Sequence, residues 1–371
     1  MKIINFFREA GFLVATTIGA GIFALPYIFN KTGWAVSVGY LILIAAGIIL
    51  THSWYLKTLQ KTGERDRLLG LANRYYGKKG RYFSFLIILA GLLLTLTAFL
   101  ILGGDFLGMV FPGLSGPAAI LIFWILGSFP FLLKSGRVLN LEFFGGAAML
   151  IIILAIFLTA LPFKNLVLGV AVTGREIFLP FGAFLFSLAG WTAIEPVFDF
   201  QKRRGDKNSL GSVIFWGTAI PVIFYFLFAI AILTLTTGGA ATTDSFSGLT
   251  NWPAWKLELL GIFGLFAIWT SYVPIGLELR NAFIYDLKWP RFLAIGLLLA
   301  LPIILLLAGF TNFLETIGVA GGIFVALQYV IIILVAAKAL VFRGWKRILA
   351  GLLVVVFLAA VVYEIYYFVI R

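Results

Sequence analysis

Apolar residues occur along this chain in eleven long runs that are separated by shorter polar stretches. The runs cover roughly residues 8–30, 33–56, 82–108, 114–133, 139–161, 178–200, 211–236, 258–284, 291–311, 317–338 and 348–369. An α-helix needs about 20 predominantly apolar residues to cross a bilayer. Membrane β-strands would instead alternate apolar and polar residues over about ten positions, and these runs do not alternate. The pattern therefore predicts an all-α polytopic membrane protein with eleven transmembrane helices.

The composition agrees with this fold class. Hydrophobic residues make up 62% of the 371 residues, and the mean hydropathy is +1.08, whereas a soluble domain has about 45–50% apolar residues. The chain contains no cysteine, so the sequence predicts neither disulfides nor a thiolate metal site. The first run is too long for a signal peptide and lacks a small-residue cleavage site, so we expect it to remain as the first helix.

Basic residues are concentrated in the connections between alternate runs. The net charge is +13, from 28 Lys and Arg against 15 Asp and Glu. If the N-terminus is cytoplasmic, 23 of the 28 basic residues fall on the inner side. The five on the outer side are Lys31, Lys164, Arg175, Lys256 and Arg371. Such an imbalance predicts a protein of the cytoplasmic (inner) membrane with its N-terminus inside and its C-terminus outside. The charge therefore indicates a lipid bilayer, and not nucleic acid, as the partner.

The first run is interrupted at its centre by Gly19, Ala20 and Gly21, and Pro26 follows. Glycine costs about 1 kcal/mol relative to alanine inside a helix, and proline suits the first turn of a new helix. The sequence predicts a helix that breaks at Gly19–Gly21 and restarts near Leu25. Backbone groups exposed by such a break are tolerated in a membrane only against protein or a polar cavity.

The sixth run has a similar interruption, where Ala189 and Gly190 are followed by Pro196. We therefore predict that helices 1 and 6 are both discontinuous. Paired interruptions in corresponding positions of two halves indicate the binding site of a secondary transporter. The alternative is that both are ordinary kinks, because Gly and Pro are common in membrane helices.

Two connections are much longer than the others, 57–81 after the second run and 237–257 after the seventh. They lie five runs apart, as do the two interrupted runs. Because five helices is an odd number, the second half must be upside down relative to the first. We predict an inverted repeat of residues 1–161 and 178–338, with an additional C-terminal helix at 348–371. Chance agreement of the loop lengths is the alternative.

Polar and flexible positions of four runs fall at one estimated depth, near Gly19, Thr95, Ala189 and Ser271. Free amides at the start of the outer half-helix of the first run form an anion site, which suits a substrate carboxylate. Freed carbonyls of the sixth run suit an ammonium group, and aromatic rings would wall the pocket. The predicted substrate-binding residues are Gly19, Ala20, Gly21, Ile22, Phe23, Thr95, Ser187, Ala189, Gly190 and Trp191.

Hydroxyl and carbonyl oxygens near the same depth indicate a site for a coupling ion. Thr270 and Ser271, with Ala267 one turn earlier and carbonyls of Ala15 and Ile18, could hold sodium, a hard cation that prefers oxygen ligands. The alternative is that both hydroxyls donate to carbonyls of their own helix.

Glu195 lies inside the sixth run, directly before Pro196. An ionisable residue within a membrane helix indicates a functional site. This carboxylate could carry a coupling proton, hold an ammonium group, or cap the half-helix that follows it. The sequence leaves the three roles open.

Motifs of soluble enzymes are missing from the sequence. It contains no P-loop, no HExxH motif and no cluster of acids and histidine that would hold a catalytic metal. We therefore predict that the chain is not an enzyme and needs no cofactor, apart from sodium or a proton as coupling ion. A channel or lipid-handling protein, which needs a continuous polar stripe, and a membrane-embedded transferase are the alternatives.

The segment Gly19-Ala20-Gly21-Ile22-Phe23-Ala24-Leu25-Pro26-Tyr27 resembles the first-helix signature of the amino acid/auxin permease family, which includes the hydroxy/aromatic amino acid permeases. A weaker match lies at 187–196. The resemblance implies the amino acid–polyamine–organocation superfamily and a LeuT-type 5 + 5 fold. It also implies that Ala20, Gly21 and Ile22 contact the carboxylate of an amino acid.

The same resemblance bears on the coupling ion. Ala267, Thr270 and Ser271 match the spacing of the eighth-helix sodium ligands in sodium-coupled relatives, but Ala15 stands where such relatives can use asparagine. Residues 139–161 contain no lysine, the device of proton-coupled relatives in other branches. We expect a symporter that imports a neutral amino acid, aromatic or large aliphatic, by alternating access. Another small amine or organic solute is the alternative substrate, and the ion and oligomeric state stay open.

Overall fold

The structure is a computed structural model that describes residues 2–63, 67–132, 138–161, 178, 180–204, 210–236, 241–242, 244–246, 249 and 252–366. Every regular element in these ranges is helical. The fourteen α-helices are α1 (Lys2–Thr17), α2 (Leu25–Thr32), α3 (Trp34–Thr62), α4 (Leu68–Val110), α5 (Gly116–Ser128), α6 (Val138–Thr159), α7 (Pro180–Ser187), α8 (Ile194–Arg204), α9 (Leu210–Leu235), α10 (Ala254–Asn281), α11 (Arg291–Leu307), α12 (Phe313–Gly318), α13 (Ala326–Ala339) and α14 (Trp345–Ile365).

The first membrane segment is broken where its glycines predicted a break. Helix α1 ends at Thr17, a 3₁₀ turn covers Ala20–Ala24, and α2 begins at Leu25 with a proline in its first turn. The two halves are bent by 51° relative to each other. The predicted discontinuity of helix 1 is confirmed.

The sixth membrane segment is also interrupted, although it is not bent as sharply as the first. Helix α7 ends at Ser187, a 3₁₀ turn covers Trp191–Ala193, and α8 begins at Ile194. Residues 188–190 between them are not helical. The predicted discontinuity of helix 6 is therefore also confirmed.

The number of membrane-spanning helices is tested in part. In the described part of the chain, seven helices are long and apolar enough to cross a membrane, and the bent first segment makes an eighth. Three shorter apolar helices, Gly116–Leu132, Gly146–Thr159 and Arg291–Leu307, lie at the predicted fourth, fifth and ninth spans. The count of eleven and the repeat boundaries at 1–161 and 178–338 therefore stay predictions.

The sequence of the long connection 57–81 predicts a short helix at 66–76, with Asp66 as its N-cap and Gly77 as its stop. Helix α4 begins at Leu68, with Arg67 at the N-cap position, and continues into the membrane through a kink at Gly77. Gly77 has φ 67°, a left-handed conformation that favours glycine. The predicted stop at Gly77 is confirmed. Asp66, which the sequence suggested as the N-cap, lies outside the described residues.

The two broken segments lie at the centre of the helix bundle. Helix α1 packs against α6, α9 and α10, while α7 packs against the 3₁₀ turn that follows α1. Helix α4 runs along α10. All residues of the turn Ala20–Ala24 are buried. The non-helical backbone is therefore enclosed by protein, as a broken helix at membrane depth requires.

Candidate functional site

A small closed cavity lies between the two breaks. Its volume is about 30 Å³, which is room for about two water molecules. The residues that line it are Thr16, Thr17, Gly19, Ala20, Gly21, Leu92, Thr95, Phe99, Phe186, Ala189, Trp191, Thr192, Ser271, Ile275, Val325 and Gln328. The four positions that the sequence placed at one depth, Gly19, Thr95, Ala189 and Ser271, all belong to this wall.

The predicted substrate-binding residues divide into two groups. Six of the ten line the cavity, namely Gly19, Ala20, Gly21, Thr95, Ala189 and Trp191, and Ser271 from the predicted ion set joins them. Ile22, Phe23, Ser187 and Gly190 are not part of the wall. Ser187 is buried behind it, where its hydroxyl donates to the Ala183 carbonyl at 2.7 Å.

Phe23 lies in an aromatic cluster beside the cavity. Its ring centroid is 4.6 Å from that of Phe106, 5.4 Å from that of Phe263 and 5.7 Å from that of Phe228. The Ser245 hydroxyl donates to the Phe23 carbonyl. This cluster packs the turn that follows α1 against α4, α9 and α10.

The first break contacts the second at Gly21. A Cβ atom added to Gly21 would lie 2.6 Å from the Cα atom of Ser187, the last residue of α7. Backbone atoms cannot move aside as a flexible side chain can. Only glycine at this position lets the two interrupted helices approach so closely.

Tyr225 of α9 joins the ends of the two half-helices. Its buried hydroxyl lies 2.7 Å from the carbonyl oxygen of Thr17, which ends α1, and 2.5 Å from that of Ser187, which ends α7. Terminal carbonyls of a helix have no partner within the helix. Tyr225 therefore shares its one hydroxyl proton between the two breaks, where the Thr17 carbonyl also accepts from the Gly19 N–H at 3.0 Å. The sequence analysis did not assign this role to it.

We predict that Tyr225→Phe lowers amino acid uptake by about tenfold, because the hydroxyl that links the two breaks is lost, and leaving a buried carbonyl without its donor costs about 1–3 kcal/mol. Initial rates of uptake into proteoliposomes measure this. Tyr40→Phe is the matched control, since Tyr40 is only half-buried and packs on Phe181 in the same bundle. Equal rates for wild type and Tyr225→Phe would contradict the assigned role.

Thr270 and Ser271 lie against the end of α1. The Ser271 hydroxyl donates to the Thr16 carbonyl at 3.0 Å and lies 3.4 Å from that of Ala15. The Thr270 hydroxyl lies 3.4 Å from the same Ala15 carbonyl but donates at 2.9 Å to Phe266, one turn back in its own helix. Oxygens of α1 and α10 therefore converge at this point.

The remaining predicted ion ligands lie nearby. The Ala267 carbonyl accepts from the Thr270 hydroxyl at 3.2 Å. Ile18 is fully buried, and its N–H closes the last turn of α1 on the Val14 carbonyl at 2.9 Å. The Thr270 hydroxyl thus bonds its own helix, as the alternative interpretation predicts, whereas the Ser271 hydroxyl bonds carbonyls of α1. The cation site stays a prediction.

Glu195 is buried and is not part of the cavity wall. It pairs with Arg67 and accepts a hydrogen bond from the Tyr55 hydroxyl. It also accepts from the backbone N–H of Leu68, at the start of α4, at 3.2 Å. These contacts tie α8 to the start of α4, a structural role beside the three that the sequence left open.

Arg67 is the centre of this inner network. Besides Glu195, it lies 3.3 Å from Asp199 of α8 and 3.9 Å from Glu278 of α10. Burial acts to lower the pKa of Arg67, but the carboxylates of Glu195, Glu278 and Asp199 outweigh it and raise the pKa above its usual range. The guanidinium therefore stays charged, and it joins the start of α4 to α8 and α10.

Gln328 of α13 is the one amide side chain in the described wall, and the sequence analysis missed it. Its Oε1 accepts a hydrogen bond from the Trp191 indole at 2.8 Å. A polar residue within the tenth apolar run was a sign, visible in the sequence, of a functional position. Because Gln328 is far along the chain from both breaks, the sequence did not indicate that it lies beside them.

The family comparison covers most of the chain. The family model described as transmembrane amino acid transporter protein matches residues 3–232. The chain is 23% identical over 335 residues to Glutamine transporter 2 of Aliivibrio fischeri, covering 86% of each chain. It is 26% identical over 346 residues to Tyrosine-specific transport system 1 of Haemophilus influenzae, covering 84% of this chain and 82% of that one.

Two solved structures share the fold. MhsT in complex with L-phenylalanine matches with a TM-score of 0.70 and 13% identity, covering 97% of each chain. The nucleobase-cation-symport-1 family transporter MHP1 matches with a TM-score of 0.63 and 12% identity, covering 99% of this chain and 94% of that one. These identities support the fold alone, and they confirm the LeuT-type fold that the first-helix signature implied.

These comparisons agree with the sequence on class. The relatives named above are transporters, which confirms the prediction that the chain is not an enzyme. Membership also makes it a multi-pass membrane protein with an amino acid as its small-molecule substrate. Since the family model covers well over half of its length, this protein belongs to the transmembrane amino acid transporter protein family.

Proposed function

We propose that this protein is a cation-coupled symporter that imports a neutral amino acid across the cytoplasmic membrane, with its N-terminus inside. The observation that carries the proposal is the cavity between two helix breaks. Its wall combines backbone and small residues, at Gly19–Gly21 and Ala189, with apolar side chains such as Phe99 and Phe186. An amino acid offers matching groups, a zwitterionic end and a side chain.

The backbone side supports binding of the zwitterion. Gly19, Ala20 and Gly21 line the cavity at the start of the outer half of helix 1, where free amides and the helix dipole favour a carboxylate. Ala189 lines it beyond the end of α7, where carbonyls favour an ammonium group. Among the described lining residues none carries a formal charge, which favours a neutral substrate side chain over an acidic or basic one.

The apolar residues of the wall support a substrate with a substantial side chain. Phe99, Phe186, Ile275 and Val325 provide this apolar surface. The named relatives are a glutamine transporter and tyrosine-specific transport systems. Glutamine and tyrosine are therefore the first substrates to assay, with phenylalanine and leucine beside them.

The small size of the cavity supports alternating access. The cavity of about 30 Å³ is too small for an amino acid, so the wall must retract on one side for binding. We propose that the Phe23 cluster closes one side and the Arg67 network the other. We propose that the first, second, sixth and seventh predicted membrane spans rock against the third, fourth, eighth and ninth. This movement would open the cavity to one side of the membrane at a time. A channel would instead need a continuous polar path.

Uptake of labelled amino acids by proteoliposomes tests this function. We expect at least one neutral amino acid to accumulate when an inward sodium or proton gradient is imposed. Dissipating that gradient with an ionophore should abolish accumulation. Failure to take up any of the twenty amino acids under either gradient would contradict the proposal.

Sodium is the first coupling ion to test, at the oxygens of Ala15, Thr270 and Ser271. We predict that Ser271→Ala and Thr270→Val each raise the sodium concentration for half-maximal uptake by about tenfold, which corresponds to about 1.4 kcal/mol of ion binding. Sodium titration of uptake measures this. Thr234→Val is the matched control, because the Thr234 hydroxyl bonds its own helix at Ile230.

Uptake that does not depend on sodium, yet requires a pH gradient, would favour a proton instead. In that case both variants should retain the wild-type ion dependence.

A further inference from the structure

Gln328 is the one carboxamide among the described residues that line the cavity. Leu92, Phe99, Phe186 and Ile275 offer carbon surface only, whereas Gln328 can both donate and accept hydrogen bonds. Gln328 is fully buried. Burying an amide is costly unless its hydrogen bonds are made, so its partners decide what it does there.

The Gln328 amide is held in place by hydrogen bonds that use only part of its hydrogen-bonding capacity. Its Oε1 accepts from the Trp191 indole at 2.8 Å, and its Nε2 lies at 3.5 Å from the Ile87 carbonyl, at the limit of a hydrogen bond. A glutamine amide offers two donors and two lone pairs. At least one donor and one lone pair of this amide therefore have no hydrogen-bond partner among the described residues.

Two neighbouring membrane segments fix the position of this amide. Trp191 is the first residue of the turn that follows the second break, so its indole ties Gln328 to the moving part of the site. On the other side, Gly91 of α4 leaves room for the amide, since a Cβ there would lie 3.5 Å from Gln328 Cδ and 2.8 Å from Phe324 Cβ. A polar group with so little freedom is suited to selecting a ligand.

We infer that Gln328 determines specificity by hydrogen bonding the uncharged polar end of the substrate side chain, a hydroxyl or a carboxamide. This inference rests on the proposed function. The backbone side holds the zwitterion, the carbon surface holds the body of the side chain, and the Gln328 amide meets its end. A site that hydrogen-bonds a substrate group discriminates strongly against the analogue that lacks it, because its own buried polar group is then left unpaired.

Competition between substrates of equal size tests this role. Tyrosine is compared with phenylalanine, and glutamine with methionine, because the members of each pair differ mainly in the polar end. We expect wild-type uptake to favour the polar member of at least one pair by about tenfold or more. Gln328→Met should bring that ratio close to one by reducing uptake of the polar member alone.

Trp191→Phe is the second variant, because it leaves the amide in place and removes the indole that holds it. It should lower the same ratio in part. Thr97→Val is the control, since the Thr97 hydroxyl is buried in the same bundle but bonds its own helix at Leu93 and does not line the cavity. It should leave the ratio unchanged.

Two results would overturn the role of Gln328 while leaving the proposed function intact. One is a wild-type preference for the apolar member of both pairs. The other is an equal loss of both members in Gln328→Met. Failure of the wild type to take up any amino acid would instead contradict the proposed function itself.

Discussion

Gly21→Leu is expected to abolish amino acid uptake. A Cβ at this position would lie 2.6 Å from the Cα atom of Ser187, so the side chain can be accommodated only if the two breaks move apart. Overpacking a filled interior costs about 1–3 kcal/mol, and here it also displaces the amides that we assign to the substrate carboxylate. We expect a loss of uptake of about 100-fold or more, since each 1.4 kcal/mol corresponds to about tenfold.

Gly39→Leu is the matched control for this substitution. Gly39 lies in α3, another membrane helix, and an added Cβ meets no atom within 4 Å. Its uptake should stay close to that of the wild type. Normal uptake by Gly21→Leu would contradict both the contact between the breaks and the carboxylate assignment.

Arg67→Met is expected to open the inner side of the cavity. The substitution leaves Glu195, which is 3% exposed, without its guanidinium partner. Removing one partner of a buried ion pair costs about 3–5 kcal/mol, and the closed inner state bears that cost. The population should therefore shift toward a state that opens inward, and net uptake should fall.

The lack of cysteine in this chain makes the shift measurable. A single cysteine introduced as Thr17→Cys would lie in the cavity wall at the end of α1. We expect a thiol reagent supplied from the inner side to react with it at least about tenfold faster in the Arg67→Met background, as a shift of 1.4 kcal/mol would give. Lys79→Met, which removes an exposed base from the same inner connection, should leave the rate unchanged.

An unchanged rate in Arg67→Met would mean that the network does not hold the inner side closed.

The breaks in helices 1 and 6 could be predicted because they depend on local chemistry. Glycine weakens a helix wherever it occurs and proline starts a new one, so Gly19, Gly21 and Pro26 indicated the geometry without any partner. The same reasoning predicted the stop at Gly77, which takes the left-handed conformation. These features need no knowledge of neighbouring helices.

The wall of the cavity could be predicted only in part. Counting residues from the ends of an apolar run gives depth in the membrane, and Thr95, Ala189 and Ser271 were placed correctly on that basis. Depth does not give the direction around the helix axis. Phe23 has the right depth, but its ring packs against Phe106 beside the cavity.

The residues that join distant helices could not be predicted from local patterns. Tyr225 bonds Thr17, from which it is separated by 208 positions, and Gln328 bonds Trp191 across 137 positions. Arg67 and Glu195 are similarly remote. In one sequence, each of these resembles many other tyrosines, amides and charges, and only the packing of the helices selects them.

Protection of a single cysteine by substrate tests most directly whether the two breaks form the binding site. Thr192 lies in the cavity wall directly after the second break, and Thr311 is exposed between α11 and α12. We predict that the transported amino acid, at about ten times its Kd, slows alkylation of Thr192→Cys by about tenfold and leaves that of Thr311→Cys unchanged. Equal alkylation of Thr192→Cys with and without a saturating amino acid that the variant still transports would contradict a substrate site between the breaks.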